Sequence, residues 1–146
     1  TILGIDALSK KLNANYIYNK IKKSEVPIKQ ILLNQHIVSG IGNIYANEIL
    51  FDSKLSPFTK GKNLKIYELT RLIKSIRKIL EKAIVYGGST IKDYVSSDGA
   101  LGNFQSNFLV YNQEGKKISK FVIKKVIQYG RSTYYCSELQ KEQNRN

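Results

Sequence analysis

Ile28-Lys29-Gln30-Ile31-Leu32-Leu33 and, six residues on, Gly40-Ile41-Gly42-Asn43-Ile44-Tyr45-Ala46-Asn47-Glu48-Ile49-Leu50-Phe51 form the stretch on which the fold turns. Pro27 suits the first turn of a short helix through Ile28, Ile31, Leu32 and Leu33, because its missing N–H costs nothing there. Gly40-Ile41-Gly42 interrupts that pattern. Ile44, Ala46, Ile49 and Leu50 then resume it at helical spacing, with Asn43 placed as the N-cap. Two short helices separated by two turns are expected. The glycines admit backbone angles closed to other residues, and a helix start offers N–H groups with no intrahelical acceptor, so an anion fits there. A phosphate would gain roughly 0.3–1 kcal/mol from the helix dipole. A tight structural turn with an ordinary Asn cap accounts for the same residues and, taken alone, is the commoner cause of such a pattern.

Working outward, residues 1–11 lack clear periodicity, and Asn13 is placed to cap a short helix from Tyr16 to Lys23, with Tyr16, Ile17 and Ile21 near one face. Ser56-Pro57 and Gly61 mark a loop. Leu69, Leu72, Ile73, Ile76, Leu80, Ala83 and Ile84 then trace one apolar face of a long helix, capped by Asn63 and ended by Gly87-Gly88. Ser89 to Asn107, rich in Ser, Gly, Asp and Asn, reads as a long irregular loop, a kind of segment often functional in compact domains. After it the pattern turns β-like over Phe108 to Tyr111, Phe121 to Ile127 and Ser132 to Cys136. The last two flank a Gln128-Tyr129-Gly130 turn as a hairpin.

The 146 residues suit one compact domain, or one domain with a small appendage. Their 24 Lys+Arg against 11 Asp+Glu give a net charge of +13, which favours a polyanion, nucleic acid first, through counterion release and steering. An AT-rich genome, which inflates Lys, Ile and Asn, accounts for that surplus equally well. The arrangement adds something: Lys116, Lys117, Lys120, Lys124, Lys125, Arg131, Lys141 and Arg145 face only Glu138 and Glu142 in the tail. A basic ribbon with Arg131 at its turn is suited to a groove, where a guanidinium bridges phosphate oxygens or enters the minor groove. Solvated edge-strand lysines that discourage aggregation weigh about the same.

No apolar run is long enough to cross a bilayer and no signal-peptide pattern occurs, so a cytoplasmic protein without a membrane partner is expected, as a monomer. The single cysteine, Cys136, excludes an internal disulfide and a cysteine-built zinc site. With no Met and Thr1 first, the chain reads as an excised domain. Catalytic chemistry is thin. His36 has no Ser or Cys partner at a recognisable spacing, and Lys29 reads most plainly as a lysine on a solvated helix face, although it could project toward the same anion as Asn43. Asp93 and Asp98 in a Gly/Ser-rich loop read as turn residues, and Glu48, early in a helix, as a complement to its dipole.

Taken together with Gly87-Gly88-Ser89-Thr90-Ile91-Lys92-Asp93-Tyr94, Asp98-Gly99, Phe104-Gln105, Val110-Tyr111, Glu114-Gly115 and Arg131-Ser132-Thr133-Tyr134-Tyr135-Cys136, the opening stretch resembles the helix-two-turns-helix motif of the formamidopyrimidine-DNA glycosylases. Leu3-Gly4 with Ala7-Leu8 is similar to that family's interdomain linker. The resemblance implies a mainly α fold: a helix-two-turns-helix bundle of about four to six helices with a C-terminal β-hairpin. Residues 1–107 would be a DNA-binding domain with a lesion-recognition loop, and residues 108–146 a finger. Such enzymes excise oxidised purines, 8-oxoguanine and formamidopyrimidine among them, and cleave the abasic strand by β,δ-elimination. The implied partner is double-stranded DNA holding an oxidised purine or an abasic site.

In the family the nucleophile is an N-terminal proline amine and the acid/base a glutamate, both in a preceding β-sandwich domain. With Thr1 first, this chain is expected to hold no catalytic residue and to be inactive without that domain. The resemblance gives phosphate binding to Lys29, Gly42, Asn43, Tyr45 and Arg131, and base reading to the amides of Ser89, Thr90, Ile91, Lys92, Asp93 and Tyr94. The family's finger usually holds zinc with two Cys-x-x-Cys pairs. Cys136 stands at the first position of the second pair, Leu139 in its partner's place, and the first pair is missing, so a zincless finger and no cofactor are expected. A structural zinc contributes folding free energy of order 10 kcal/mol in small fingers, which Phe121, Ile123, Val126 and Tyr134 packing beneath the Lys-rich strands, and packing against the helical body, would have to replace. A non-enzymatic rRNA-binding protein of ribosomal type shares the two-turn motif and remains the alternative. The Gly-Gly-Ser-Thr to Phe-Gln loop and the Arg-Ser-Thr-Tyr-Tyr-Cys ending have no place in it.

Overall fold

A computed structural model describes residues 3–87 and 108–142 of the chain. Asn13 caps the first helix, its side chain accepting the Tyr16 N–H at 2.9 Å, and α1 (Ala14–Ile21) buries Ile17 and Ile21. α2 (Ile28–Leu33) takes Pro27 as its extended N-cap residue rather than inside its first turn. Between α2 and α3 (Asn43–Asp52) the chain turns twice, and Gln35 ties both turns. Its Nε2 donates to the carbonyls of Leu33 and Ile41, and its Oε1 accepts the Gly40 N–H at 2.8 Å. Gly40 has a φ of +100°, a conformation costly to any residue with a Cβ. A short parallel pair, β1 (Ile5–Asp6) with β2 (Val38–Ser39), closes this corner, although residues 1–11 give no periodic sign of it. Gly4 packs there so tightly that an added Cβ would lie 2.3 Å from the Ile37 carbonyl.

α4 (Ile66–Gly87) buries Leu69, Leu72, Ile73, Ile76, Leu80 and Ala83, as their spacing predicts. Ile84 departs from that face and is 45% exposed. Asn63 does not cap the helix but sits in a 3-10 turn, Gly61–Asn63; the Glu68 carboxylate reaches back instead to accept the Lys65 N–H at 2.9 Å. The four helices enclose one apolar cluster that runs from Ala7 and Leu12 to Leu80 and includes Phe108. Among the described residues no helix is long and apolar enough to cross a membrane. Gly88 and the loop from Ser89 to Asn107 lie outside the described residues.

Beyond residue 107 the described chain contains no helix, so "mainly α" fits residues 3–87 better than it fits the tail. Phe108 to Tyr111 is not a strand, because a side chain of α3 takes the amides of residues 109–111. The long strand expected over Phe121 to Ile127 is broken at Ile123, which is buried while its backbone bonds to Gly115 and Lys116. The result is two hairpins. β3 (Lys117–Ile118) pairs with β4 (Phe121–Val122), and β5 (Lys124–Gln128) pairs antiparallel with β6 (Arg131–Tyr135) in a register from Lys124↔Tyr135 to Gln128↔Arg131. Tyr129 (φ 52°) and Gly130 (φ 76°) form the two-residue turn between them, with the paired positive angles that suit the twist of a hairpin. Beneath lies a small second cluster of Val110, Ile123 and Tyr134; Phe121 and Val126, expected to pack there, are only half-buried and lie outside it.

Candidate nucleic-acid interface

α3 is buried on two sides. Ala46, Ile49 and Leu50 join the apolar cluster of the helices, while Asn43, Asn47 and Glu48 meet the hairpin segment. Glu48 is 5% exposed, and its carboxylate accepts three successive backbone N–H groups: Leu109 at 2.8 Å, Val110 at 2.9 Å and Tyr111 at 2.9 Å. Charge-assisted bonds of this kind are about twice as strong as neutral ones. They also take the amides that a strand over Phe108 to Tyr111 would have spent on a ladder. Glu48 therefore does not serve its own helix dipole, as its position suggests, but holds a segment about sixty residues away in sequence.

Asn47 acts as a stand-in for a strand residue. Its Oδ1 accepts the Tyr134 N–H at 2.8 Å and its Nδ2 donates to the Ser132 carbonyl at 3.3 Å, covering the free edge of β6. The Ser132 carbonyl also accepts from Asn43 Nδ2 at 3.1 Å and from Lys29 Nζ at 3.0 Å. Two glutamines complete the attachment. Gln128 donates to the Pro57 carbonyl and accepts the Thr133 hydroxyl, and Gln140 donates to the Leu55 carbonyl and accepts the Cys136 N–H.

Of the residues that the sequence singles out, Lys29, Asn43 and Arg131 lie at this junction. Lys29 is not a solvated lysine. It is 1% exposed, and its Nζ also donates to Thr133 Oγ1 at 2.7 Å. Burial, and then the charge of Arg131, lowers its pKa from 10.5 to about 8. Arg131 is exposed at the start of β6. Among the described residues neither cation has a carboxylate partner. Asn43 is the first residue of α3 rather than its N-cap; that place belongs to Gly42, and the Asn43 side chain turns to Ser132 instead. Its Oδ1 is buried without a hydrogen-bond partner among the described residues.

Gly42 differs from Gly40. Its φ of −97° is open to any residue, and a Cβ there would meet nothing within 4 Å. Nothing inside the described chain calls for a glycine at 42. The helix's first internal bond runs from the Ala46 N–H to the Gly42 carbonyl, so the amides of Asn43 and Ile44 have no acceptor within the helix. Tyr45 is 8% exposed with its ring in the apolar cluster, which leaves its backbone rather than its ring facing the helix start. His36 is exposed, and Ser89, Thr90, Ile91, Lys92, Asp93 and Tyr94 lie outside the described residues.

The described residues offer no donor set that fits a zinc ion. Cys136 is the chain's one cysteine, and among the described residues no three His, Cys, Asp or Glu side chains are grouped where they could hold a metal.

Residues 3–95 match the family model described as the formamidopyrimidine-DNA glycosylase H2TH domain. The chain is 45% identical over 140 residues to a formamidopyrimidine-DNA glycosylase of Zymomonas mobilis, covering 95% of this chain and 52% of that protein. It is 39% identical to the one from Rickettsia conorii, covering 94% and 51%. Among solved structures it is similar to the Lactococcus lactis Fpg in complex with abasic-site DNA, with a TM-score of 0.83 and 34% identity over 96% of this chain and 52% of that one. It is equally similar to MutM in complex with DNA containing carbocyclic 8-oxo-G, with a TM-score of 0.83 and 33% identity over 96% and 51%. The chain thus spans about half the length of these relatives. Similarity that continues from the two-turn motif through the hairpins does not favour the ribosomal alternative.

Proposed function

Because this chain belongs to the formamidopyrimidine-DNA glycosylase family, we propose that it is the damaged-DNA-binding part of a bifunctional base-excision repair glycosylase and AP lyase that removes oxidised purines. The observation that carries this reading is the meeting of Lys29 and Arg131, two cations without carboxylate partners among the described residues, beside the bare helix start at Gly42. A DNA phosphate would neutralise both charges and bond the amides of the first helical turn. In this reading Lys29 and Arg131 supply charge, while Gly42, Asn43 and the Tyr45 backbone supply the cradle. Residues 1–107 grip the damaged strand, with the base read by Ser89 to Tyr94. Residues 108–146 form a metal-free finger. Glycosylase and lyase chemistry belongs to the length of the relatives that this chain does not span, so the 146 residues alone are expected to be inactive. The protein works as a monomer in the cytoplasm.

The test is titration of a labelled duplex carrying an abasic-site analogue at several salt concentrations. Affinity should fall linearly with salt on a double-logarithmic plot, as phosphate contacts require. Gly42→Ala should weaken binding while lowering stability by no more than about 1 kcal/mol, the usual cost of Ala over Gly at an N-cap, because the new methyl meets no atom of the described chain within 4 Å. A chain that retains no duplex even at about 50 mM salt would defeat the reading.

A further inference from the structure

The tip of the β5–β6 hairpin carries side chains that the described fold does not use. In a turn with two positive φ angles, Asn is the favoured first residue, because its short side chain bonds the local backbone. Here that place holds Tyr129, at φ 52°. The residue is 63% exposed, and its side chain makes no hydrogen bond or ring contact with the described residues. Ile127, two residues earlier, is 68% exposed. Single exposed apolar residues need no explanation, but these two share the end of one hairpin, between Lys125 and Arg131, in a chain of net charge +13.

Residues 129 and 131 are separated by at most about 7 Å of backbone, which places the ring within one or two nucleotides of any phosphate held by Arg131. A flat apolar ring beside a cation is what binds a base face or a deoxyribose in sequence-tolerant contacts, whereas a lysine or serine at the tip would add only charge or a polar contact.

We infer that Tyr129, backed by Ile127, is a DNA-stacking residue that packs on a base or sugar of the strand whose phosphate is held at Lys29 and Arg131. The inference rests on the DNA-binding reading above. It adds to that reading a contact that is not electrostatic, made by a residue type that neither the fold nor the turn requires.

The absence of tryptophan from the chain makes the test direct. Tyr129→Trp places a sole tryptophan at the tip, and duplex containing an abasic analogue is titrated while a label on the DNA reports binding separately. Quenching of the Trp emission and protection from acrylamide are expected at saturating DNA. Tyr129→Asn, which suits the turn and so preserves the hairpin, should weaken binding about 5- to 150-fold, and Tyr129→Phe should bind as the parent does. The Asn variant should leave the salt slope unchanged, whereas Arg131→Ala should lower it by about one. If the label shows binding while the Trp emission and its acrylamide access stay constant, or if Tyr129→Asn keeps the parent's affinity, the inference falls and the DNA reading stands. If the parent binds no duplex, both fall.

Discussion

The helical body and the hairpin segment are held together by opposite means. In the body, helix meets helix through apolar side chains; among the described residues twenty-two are buried in one cluster, all but Phe108 from the body. The hairpins have three, Val110, Ile123 and Tyr134. At about 1.5–3 kcal/mol for each buried side chain, three fall short of what a structural zinc contributes, of order 10 kcal/mol. What attaches the hairpins is polar: the Glu48 carboxylate on three amides, Asn47 on the edge of β6, Gln128 and Gln140 on loop carbonyls, and Lys29 on Ser132 and Thr133. Apolar contact is tolerant of small slips, whereas a hydrogen bond fixes a distance and an angle. The body supplies stability, and the junction sets where Arg131 lies relative to Gly42.

The largest effect expected is on the body. Ile49 is fully buried in α3, and Ile49→Ala should cost about 2–5 kcal/mol and lower the melting temperature by about 10 °C. Both regions should melt together, since α3 supports each of them. A change below about 1 kcal/mol in denaturant titrations would mean that apolar packing does not govern the body, and the contrast would lose its first half.

That half was also the readable one. Asn13, the apolar face of α4 and the two turns around Gly40 are local patterns, and helices form over those stretches, although α1 starts and ends two residues before the expected Tyr16 to Lys23 and α4 is not capped by Asn63. The junction has no local signature. Lys29 finds its partners 103 and 104 residues away and Glu48 finds its own 61 to 63 away, so the first read as a solvated lysine and the second as a dipole complement. Phe108 to Tyr111 reads as a strand because it is a run of residues common in strands, but the amides of Leu109, Val110 and Tyr111 are taken by a side chain. Asn43 and Asn47, four apart on one helix face, were the available hint that α3 has a second, polar surface to bury. Of the candidate site residues, Lys29 and Asn43 both bond the Ser132 carbonyl next to Arg131, and Gly42 opens the helix that Asn43 begins. What the sequence could not tell was that Lys29 reaches this place from inside the protein.

The next effect sharpens the contrast at that lysine. Its pKa in the folded chain is about 8, below the ordinary 10.5, so the charged form is disfavoured by folding. The penalty is complete below pH 8. Between pH 8 and 10.5 the folded chain releases a proton that the unfolded chain keeps, so stability contributed by this group rises with pH, by roughly 3 kcal/mol in all. Lys29→Met removes the titration but keeps much of the bulk. Relative to that variant, the parent should therefore gain stability from pH 7.5 to pH 10, read from denaturant midpoints. DNA binding should move the other way, weakening above pH 8 as the ammonium is lost. A stability difference that does not vary with pH would show that the buried amine is not titrating near 8.

The smallest expected effect bears most directly on how the hairpins are attached. Glu48→Gln keeps the shape of the side chain but replaces one accepting oxygen with an NH2 group, which then faces either the Leu109 N–H or the Val110 and Tyr111 N–H groups, all of which can only donate. Stranding those donors should cost about 1–3 kcal/mol, and because the apolar cluster of the helices is untouched, the loss should stay local. Amide exchange resolves this. The Leu109, Val110 and Tyr111 N–H groups should lose about tenfold or more in protection while those of Leu72 and Ile76 in α4 keep theirs. If all five slow or quicken together, body and hairpins unfold as one unit, and the division of labour between apolar packing and polar attachment is not a division in stability at all. If only the three exchange faster, Glu48 is the residue through which a helix core holds a segment that has almost no core of its own.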